Sequence, residues 1–410
     1  MAKPNIKPTT AGYDLLWLED QITVEVSRLH THTDGRVTGE IFIRNGSKAI
    51  KPPSQINFVA ERTRDSLVKS LTDTFPGKAE WRKIIDELCY YVLELTRQGE
   101  PVIEAWSGEN VQPPKYLLDP FLIEGYPSII FGDPGSIKST LALVLSQVVT
   151  FPWVDNPMGL MAPTRPHKVL YLDWETDFAT ITWQLTMLER GMGLGSCMVH
   201  YRRCTLPLAN DVAEIKKKIA ELNIDLIILD SLGLATGGEL KEAAPVLAFF
   251  AALRQLATTS LILAHSPKDN ENVKNKSIYG SVFFQAQARN IWEIRKSQEQ
   301  GSDTADIALY HKKPAPFQQY HSPLGFTLKY HDIDKLAISQ NDPKSVPDLL
   351  ERMGTRTRIL QYMKEVNETM SAKEIAEGTG VANINKTMTD LKNAGKVVHP
   401  ERGLWGLADV

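Results

Sequence analysis

Apolar positions in residues 22–45 alternate with polar ones around a turn at Asp34-Gly35. This period is typical of two half-buried strands joined in a hairpin. Residues 67–93 then repeat apolar side chains at three- and four-residue spacing, which predicts amphipathic helix. Strands followed by helices predict a small N-terminal α+β domain over residues 1–115, whose role the sequence does not disclose.

From residue 128 the pattern changes to short, continuously apolar segments separated by helical ones. Such alternation is typical of a parallel sheet covered by helices on both faces. The predicted parallel strands are residues 128–131, 169–174, 199–203, 225–230 and 260–264. The next apolar segments are closely spaced, which favours antiparallel pairing, and comprise residues 291–294, 307–310 and 326–330. The sequence therefore predicts an α/β domain over residues 116–332.

The end of the chain has its own pattern. Residues 333–354 are polar and contain two prolines, which predicts a linker. Residues 355–410 contain three short helical segments followed by a strand-turn-strand pattern, and Ser371 with Glu374 forms a capping box that opens the second helix. This order of elements predicts a winged helix-turn-helix.

Composition adds mainly exclusions. The 410 residues are 42% hydrophobic and 23% charged, as in folded multidomain proteins, and the net charge of −3 confines any polyanion site to a local patch. The three cysteines, Cys89, Cys197 and Cys204, form no CxxC pair, so neither a disulfide framework nor a zinc site is indicated. Without a secretory or membrane-spanning pattern, we expect a cytoplasmic protein with no membrane partner.

The strongest chemical signal lies between the first strand of the α/β domain and the next helix. It consists of nine consecutive residues: Gly132, Asp133, Pro134, Gly135, Ser136, Ile137, Lys138, Ser139 and Thr140. Such a loop wraps backbone N–H groups around phosphates, its lysine reaches the β- and γ-phosphate oxygens, and the next hydroxyl binds Mg²⁺. These nine residues predict an ATP site. Ile137 occupies a position where glycine is usual, so we expect a modified loop.

Polar side chains also end three other predicted strands. Asp230 ends a buried strand, where it would hold Mg²⁺ together with Ser139. Glu175 follows another strand and can activate water, whereas Asp173 suits either a group that supports the catalytic residues from behind or a strand-end cap. His265 ends a third strand. This position resembles the strand end at which RecA-like motors carry a γ-phosphate sensor, although a lone histidine is often only structural.

The ordered set from Gly132 to about residue 330 resembles the RecA-like core of DnaB-type replicative helicases and plasmid RepA-type helicases. The resemblance covers about half of the chain and implies a RecA-like P-loop ATPase that forms a homo-oligomer, with a hexamer favoured. In that family, the loop after the His265 strand contacts DNA. It contains Lys268, Lys274 and Lys276 in this chain, and a solvated surface loop is the alternative.

The resemblance also implies a basic residue that enters the nucleotide site of the neighbouring subunit. Lys313 stands at the corresponding position, where many relatives have arginine. His311 and Arg289 are alternatives, and a surface role for this basic cluster stays open.

In the C-terminal region, the predicted third helix presents Asn385, Lys386 and Lys392, and the predicted wing contains Arg402. These side chains can reach base edges or phosphates of DNA. Residues 351–410 contain 9 Lys plus Arg and 8 Asp plus Glu, so the positive patch is modest. Docking to another protein therefore remains an alternative.

Together these features predict an ATP-hydrolysing DNA motor, a ring-forming replicative-type helicase that translocates on single-stranded DNA. Its cofactors would be ATP and Mg²⁺, and its catalytic residues Lys138, Glu175, His265 and Lys313. The alternative is an ATP-switched DNA-binding regulator, loader or adaptor that assembles on DNA without unwinding it. A small-molecule kinase is disfavoured, because the sequence contains no recognisable acceptor site or lid.

Overall fold

The computed structural model describes residues 3–9, 12–32, 34–99, 102–105, 107, 112–151, 153–267, 277–280, 282–343, 346, 355–382, 384–401 and 403–408. The chain divides into two compact units. The first comprises residues 1–114, 205–225 and 248–258, and the second comprises residues 115–204, 226–247 and 259–410. The first unit thus extends beyond the N-terminal domain predicted from sequence.

The first unit contains a five-stranded antiparallel sheet whose strands follow one another in chain order. The strands are β1 (Asn5–Thr9), β2 (Gly12–Trp17), β3 (Ile22–Thr31), β4 (Val37–Asn45) and β5 (Lys48–Asn57). Strands β3 and β4 form the hairpin predicted around Asp34-Gly35. Two helices, α1 (Glu61–Thr74) and α2 (Trp81–Gln98), share its buried core, and α5 (Leu208–Leu222) belongs to the same unit.

A nine-stranded sheet dominates the second unit. A short pair precedes it, β6 (Tyr116–Leu118) and β7 (Leu122–Ile123). The nine strands are β8 (Pro127–Gly132), β9 (Val169–Asp173), β10 (His200–Arg203), β11 (Leu226–Asp230), β12 (Thr259–His265), β13 (Asn290–Ser297), β14 (Thr304–Lys313), β15 (Leu324–His331) and β16 (Lys335–Asn341). Their order is β10-β9-β11-β12-β8-β13-β14-β15-β16.

The strands from β10 to β13 in this order are parallel, and the rest are antiparallel. The predicted parallel strands are confirmed. Strand β13 was expected to be antiparallel. It is antiparallel to β14, but it pairs in parallel with β8, its other neighbour. Residues 333–354 were predicted as a linker, but β16 occupies part of that range because Leu336 and Ile338 alternate into the core.

Four further helices occur between the strands: α3 (Lys138–Thr150), α4 (Phe178–Met192), α6 (Leu232–Thr236) and α8 (Val282–Gln287). A fifth, α7 (Ala243–Leu256), crosses the division between the units. Helices α3 and α4 bury apolar side chains against one face of the large sheet. No helix among the described residues is long and apolar enough to cross a lipid bilayer.

The C-terminal residues have a separate core. The elements are α9 (Thr355–Val366), β17 (Met370–Ser371), α10 (Ala372–Thr379), α11 (Asn385–Asn393), β18 (Val397–Val398) and β19 (Leu404–Leu407), with the sheet order β17-β19-β18. The predicted capping box is confirmed, because the Ser371 hydroxyl accepts from the Glu374 N–H and the Glu374 carboxylate accepts from the Ser371 N–H. Helix α10 ends at Gly380, whose φ of 61° suits glycine.

Candidate nucleotide-binding site

The predicted phosphate loop connects the end of β8 to the start of α3. Gly132 is required by close packing, because a Cβ there would lie 2.5 Å from the carbonyl oxygen of Ile294. Gly135 has φ +75°, a conformation that other residues rarely adopt. The two glycines therefore allow a tight turn that lies directly against β13.

Ile137 adopts the left-handed conformation, with φ 67° and ψ 24°, immediately before α3. This backbone conformation costs a residue with a Cβ roughly 1–2 kcal/mol relative to the right-handed one. Its side chain is half-buried and packs against the core beneath α3 and α4. The loop thus keeps a glycine-like backbone although isoleucine occupies the position, and the contact with the core offsets part of the strain.

The ammonium group of Lys138 lies inside the loop. It donates hydrogen bonds to the carbonyl oxygens of Gly132, at 3.1 Å, and Asp133, at 2.9 Å. Burial lowers the pKa of Lys138 to about 8, although the negative charges of Asp230 and Glu175 act in the opposite direction. A buried cation beside the positive end of a helix favours an anion, so this position suits a phosphate.

Ser139 and Asp230 meet beside the loop. The Ser139 hydroxyl donates to Asp230 Oδ2 at 2.6 Å, and Asp230 is only 3% exposed. Burial raises the pKa of Asp230, and the hydrogen bonds from Ser139 and Tyr171 partly oppose this shift. A hydroxyl and a carboxylate provide the oxygen ligands that Mg²⁺ prefers, so the residues fit this ion. The described residues include no cluster of three metal-binding side chains, so phosphate and water would supply the remaining ligands.

His265 connects the lysine of the loop to the predicted catalytic glutamate. Its Nδ1 lies 3.4 Å from Lys138 Nζ, and its Nε2 lies 3.4 Å from Glu175 Oε1. An ammonium group can only donate and a carboxylate can only accept, so Nδ1 is the acceptor and Nε2 carries the proton. The three predicted residues therefore form one hydrogen-bonded chain.

Glu175 has a second hydrogen-bond donor, the hydroxyl of Ser231, which directly follows Asp230. The hydrogen bond from His265, followed by that from Ser231, lowers the pKa of Glu175 although burial acts in the opposite direction. The carboxylate is consequently ionised at neutral pH, as a group that accepts a proton from water must be.

Asp173 fixes the turn that carries Glu175. It is fully buried and accepts from the backbone N–H groups of Glu175, at 2.9 Å, and Thr176, at 2.8 Å. The Tyr201 hydroxyl also donates to it at 2.9 Å. The prediction that Asp173 caps the end of its strand is confirmed.

The residues after β12 also contact the loop. The Ser266 hydroxyl donates to the carboxylate of Asp133, and the Ser266 N–H donates to the carbonyl of Gly132 at 3.1 Å. The N–H of Tyr279 donates to the carbonyl of His265 at 3.0 Å, so the two sides of the intervening segment meet at His265. Three predicted DNA-binding residues of this segment lie outside the described residues: Lys268, Lys274 and Lys276.

Lys313 has an intramolecular role that the sequence did not indicate. Its ammonium donates to the carbonyl oxygens of Gln285, Ala286, at 3.1 Å, and Ala288, at 2.8 Å. These carbonyls lie at the end of α8, where helices leave acceptors unpaired. Lys313 thus caps a helix of its own chain, and its action on a neighbouring subunit stays a prediction.

The alternatives to Lys313 differ in character. His311 stacks on Trp292 at 4.3 Å, and burial lowers its pKa to about 4, with His321 as a further cause. Both of its ring nitrogens are engaged within its own chain, by Asn290 and by the His321 N–H, and its action on a neighbouring subunit stays a prediction. The Arg289 side chain is exposed.

The predicted DNA-binding residues of the third C-terminal helix lie on one exposed stripe of α11. The stripe comprises Asn385, Lys386, Thr389, Lys392 and Asn393. The acidic residue of this helix, Asp390, lies beside the stripe and is paired with Arg356 at 2.7 Å. Arg402 lies outside the described residues.

A cavity of about 600 Å³ adjoins the other side of the phosphate loop. Residues 133–136 of the loop, residues 294–296 of β13 and residues 298–301 of the following turn form its lining. Its volume lies within the range of roughly 300–1,000 Å³ that is usual for small-ligand pockets.

Comparison with known proteins agrees with an ATPase. A model of the AAA domain family matches residues 94–271, which include the phosphate loop, Glu175, Asp230 and His265. No curated protein matches the chain. Among solved structures, the chain is similar to the KaiC-like protein PH0186 from the hyperthermophilic archaeon Pyrococcus horikoshii OT3. The identity is 12% and the TM-score 0.37, over 55% of this chain and 94% of that chain. The family match and the geometry of the loop support a P-loop ATPase domain.

The sequence did not reveal several residues of the site: Tyr171, Tyr201, Ser231 and Ser266. Tyr171 alternates onto the same face as Asp173, which is a readable signal. Its partner Asp230 belongs to another strand, however, so finding that contact requires the strand order and register.

Proposed function

We propose that the protein is an ATP-hydrolysing DNA motor, a ring-forming replicative-type helicase that translocates on single-stranded DNA. The observation that carries this proposal is the convergence of Lys138, Ser139, Asp230 and Glu175 at one edge of the parallel sheet. Hydrolysis requires these four functions together: a cation for phosphate, two metal-binding oxygens and an ionised base for water.

Each residue would have a defined part in hydrolysis. Lys138 and the N–H groups at the start of α3 would bind the phosphates, and Ser139 with Asp230 would hold Mg²⁺, which would supply positive charge to the phosphate oxygens. Glu175 orients the attacking water and accepts its proton. His265 links the phosphate-binding lysine to this base, so a change at the γ-phosphate reaches Glu175 and the backbone beside Tyr279.

Contact with DNA is proposed at two places. The segment with Lys268, Lys274 and Lys276 begins close to His265, which suits a loop whose grip on single-stranded DNA follows the nucleotide. The C-terminal elements suit a winged helix-turn-helix, in which α11 would enter the major groove of duplex DNA. The exposed stripe of α11 supports this assignment because it contains two lysines and no carboxylate.

A second candidate is an ATP-switched DNA-binding regulator, loader or adaptor. It is favoured by Lys313, which binds carbonyls of its own chain and would have to leave them to complete a neighbour's site. Such an arrangement favours slow turnover that controls assembly rather than sustained translocation.

A strand-displacement assay on a forked duplex separates the two candidates. A motor unwinds the fork in the presence of ATP, and both Lys138→Ala and Glu175→Gln abolish unwinding. Glu175→Gln should retain ATP binding, whereas the ATP affinity of Lys138→Ala should fall on the order of 100-fold. ATP-dependent assembly on DNA without unwinding would support the regulator, and absence of magnesium-ATP binding by the wild type would contradict both.

The role of α11 is tested by neutralising Lys386 and Lys392 together. Duplex binding should weaken. The slope of log affinity against log salt concentration should become shallower by about 2, which is about 1 for each lysine removed. The matched control is Lys373→Ala, because Lys373 is an exposed lysine on the neighbouring helix α10, with its side chain 85% exposed. An unchanged salt slope in the double variant would favour the protein-docking alternative.

A further inference from the structure

Tyr171 lies within β9, and its phenol points at the carboxylate of the proposed metal site. The side chain is fully buried in the core shared with α3 and α4. Its hydroxyl donates to Asp230 Oδ2 at 2.6 Å, and the same oxygen accepts the Ser139 hydroxyl at 2.6 Å. One carboxylate oxygen is thus held by a donor from the rigid core and by a donor from the phosphate loop.

The strand register explains how Tyr171 reaches this carboxylate. Tyr171 lies directly opposite Ile228 of β11, and Asp230 is two residues further along that strand. Tyr171 and Asp230 are therefore diagonal neighbours on the same face of the sheet. Diagonal cross-strand neighbours are within reach of long and aromatic side chains.

The two donors to Asp230 differ in what else they can do. The Ser139 hydroxyl can offer its lone pairs to Mg²⁺ while it continues to donate its hydrogen to Asp230. The Tyr171 hydroxyl belongs to a strand of the buried core and not to the phosphate loop. Because its ring is enclosed by the core, Tyr171 stays in place whatever the loop binds.

We infer that Tyr171 is a positioning residue for Mg²⁺: it holds Asp230 Oδ2 and thereby orients the carboxylate toward the water shell of the ion. This inference rests on the proposed magnesium-dependent ATP binding and names a residue that acts through Asp230. Removal of such outer partners of metal-binding groups typically weakens metal affinity by about 10- to 100-fold.

A second tyrosine provides a matched control. Tyr201 of β10 lies directly opposite Tyr171, and its hydroxyl donates to Asp173, again the diagonal neighbour, at 2.9 Å. The chemical pair and its geometry in the sheet are the same. Asp173, however, binds the turn that carries Glu175, whereas Asp230 binds the serine of the phosphate loop.

The test compares Tyr171→Phe and Tyr201→Phe in the full chain. Affinity for a fluorescent ATP analogue is measured in EDTA and over a series of Mg²⁺ concentrations. In Tyr171→Phe, the Mg²⁺ concentration that gives half of the affinity gain should rise about 10- to 100-fold. The affinity for the analogue measured in EDTA should stay unchanged. In Tyr201→Phe, whose partner Asp173 lies in the turn of Glu175 and not at the metal site, the Mg²⁺ requirement should rise far less than in Tyr171→Phe.

An unchanged Mg²⁺ requirement in Tyr171→Phe would overturn the inference, as would an equal rise in both variants. If the wild type itself binds the analogue without any effect of Mg²⁺, the proposed function fails instead. If the Tyr171→Phe protein does not fold, Tyr171→Met is the second variant. The flexible methionine side chain fills irregular core space and carries no hydroxyl. Tyr171→Met should show the same rise, and a wild-type requirement in this variant would overturn the inference.

Discussion

The loop before α3 and the end of α8 both surround a lysine ammonium with backbone carbonyls, yet the two lysines differ in what they leave available. Lys138 lies at the start of a helix, where the helix dipole is positive and adds to the charge of the lysine. The ammonium of Lys313, a residue of β14, lies beside the end of α8, where the helix dipole is negative and compensates the charge of the lysine. The same side chain therefore favours an anion at the first position and stabilises the fold at the second.

The strongest test of this comparison is the effect of Lys138→Ala on ATP affinity. Charge-assisted hydrogen bonds contribute about 1.5–3 kcal/mol each, so affinity should fall on the order of 100-fold. Lys313→Ala should leave the affinity of the free protein unchanged. Isothermal titration of both variants gives the answer, and an equal loss in the two would contradict the distinction.

The converse test is the stability of Lys313→Met. Loss of the ammonium leaves carbonyls of α8 without their donor, so the free energy of unfolding should fall by about 2 kcal/mol in denaturant titrations. Lys313→Arg supplies other donors and should retain most of the stability. If Lys313→Met were as stable as the wild type but slower in turnover, the action on a neighbouring subunit would be favoured instead.

A smaller effect is expected from pH. Lys138 has a pKa of about 8 in the folded chain, so at about pH 9 roughly a tenth of the molecules carry the ammonium, and ATP affinity should be about tenfold lower than at about pH 7. The folded pKa lies below the ordinary value of 10.5, so deprotonation favours the folded state as pH rises between them. Weaker binding would therefore not reflect unfolding.

The control for this pH dependence is Lys138→Arg, whose guanidinium stays charged throughout that range. Its residual affinity should be the same at both pH values. A wild-type affinity that does not change with pH would show that Lys138 keeps its proton, and would contradict the effect of burial on this group.

The smallest effect concerns Ile137. Both Ala and Gly remove its contact with the core, but only Gly adopts the left-handed conformation without strain. Ile137→Gly should therefore be about 1 kcal/mol more stable than Ile137→Ala, as measured by thermal or denaturant unfolding. Equal stability of the two variants would mean that the backbone at this position is not left-handed.

The sequence predicted much of the site because its parts are local. The phosphate loop is contiguous, and Asp230, Glu175 and His265 are each recognisable as polar residues that end an apolar strand. Parallel strands bring such ends to one edge, so the convergence of these side chains followed from the fold class.

The remaining features depend on contacts between distant parts of the chain. The sequence contains no sign that Lys313 lies beside the end of α8, or that Tyr171 is diagonal to Asp230. Strand β16 was missed because the polar residues around it resemble a linker, while its alternation is short. For the Tyr171 contact, the deciding information is the strand register, and for the Lys313 contact it is which elements pack together. One sequence contains neither.

The hydrogen bond from the Tyr279 N–H to the His265 carbonyl ties Tyr279 to the strand end that carries the Lys138–His265–Glu175 chain. A displacement of His265 would therefore be passed directly to the backbone of Tyr279.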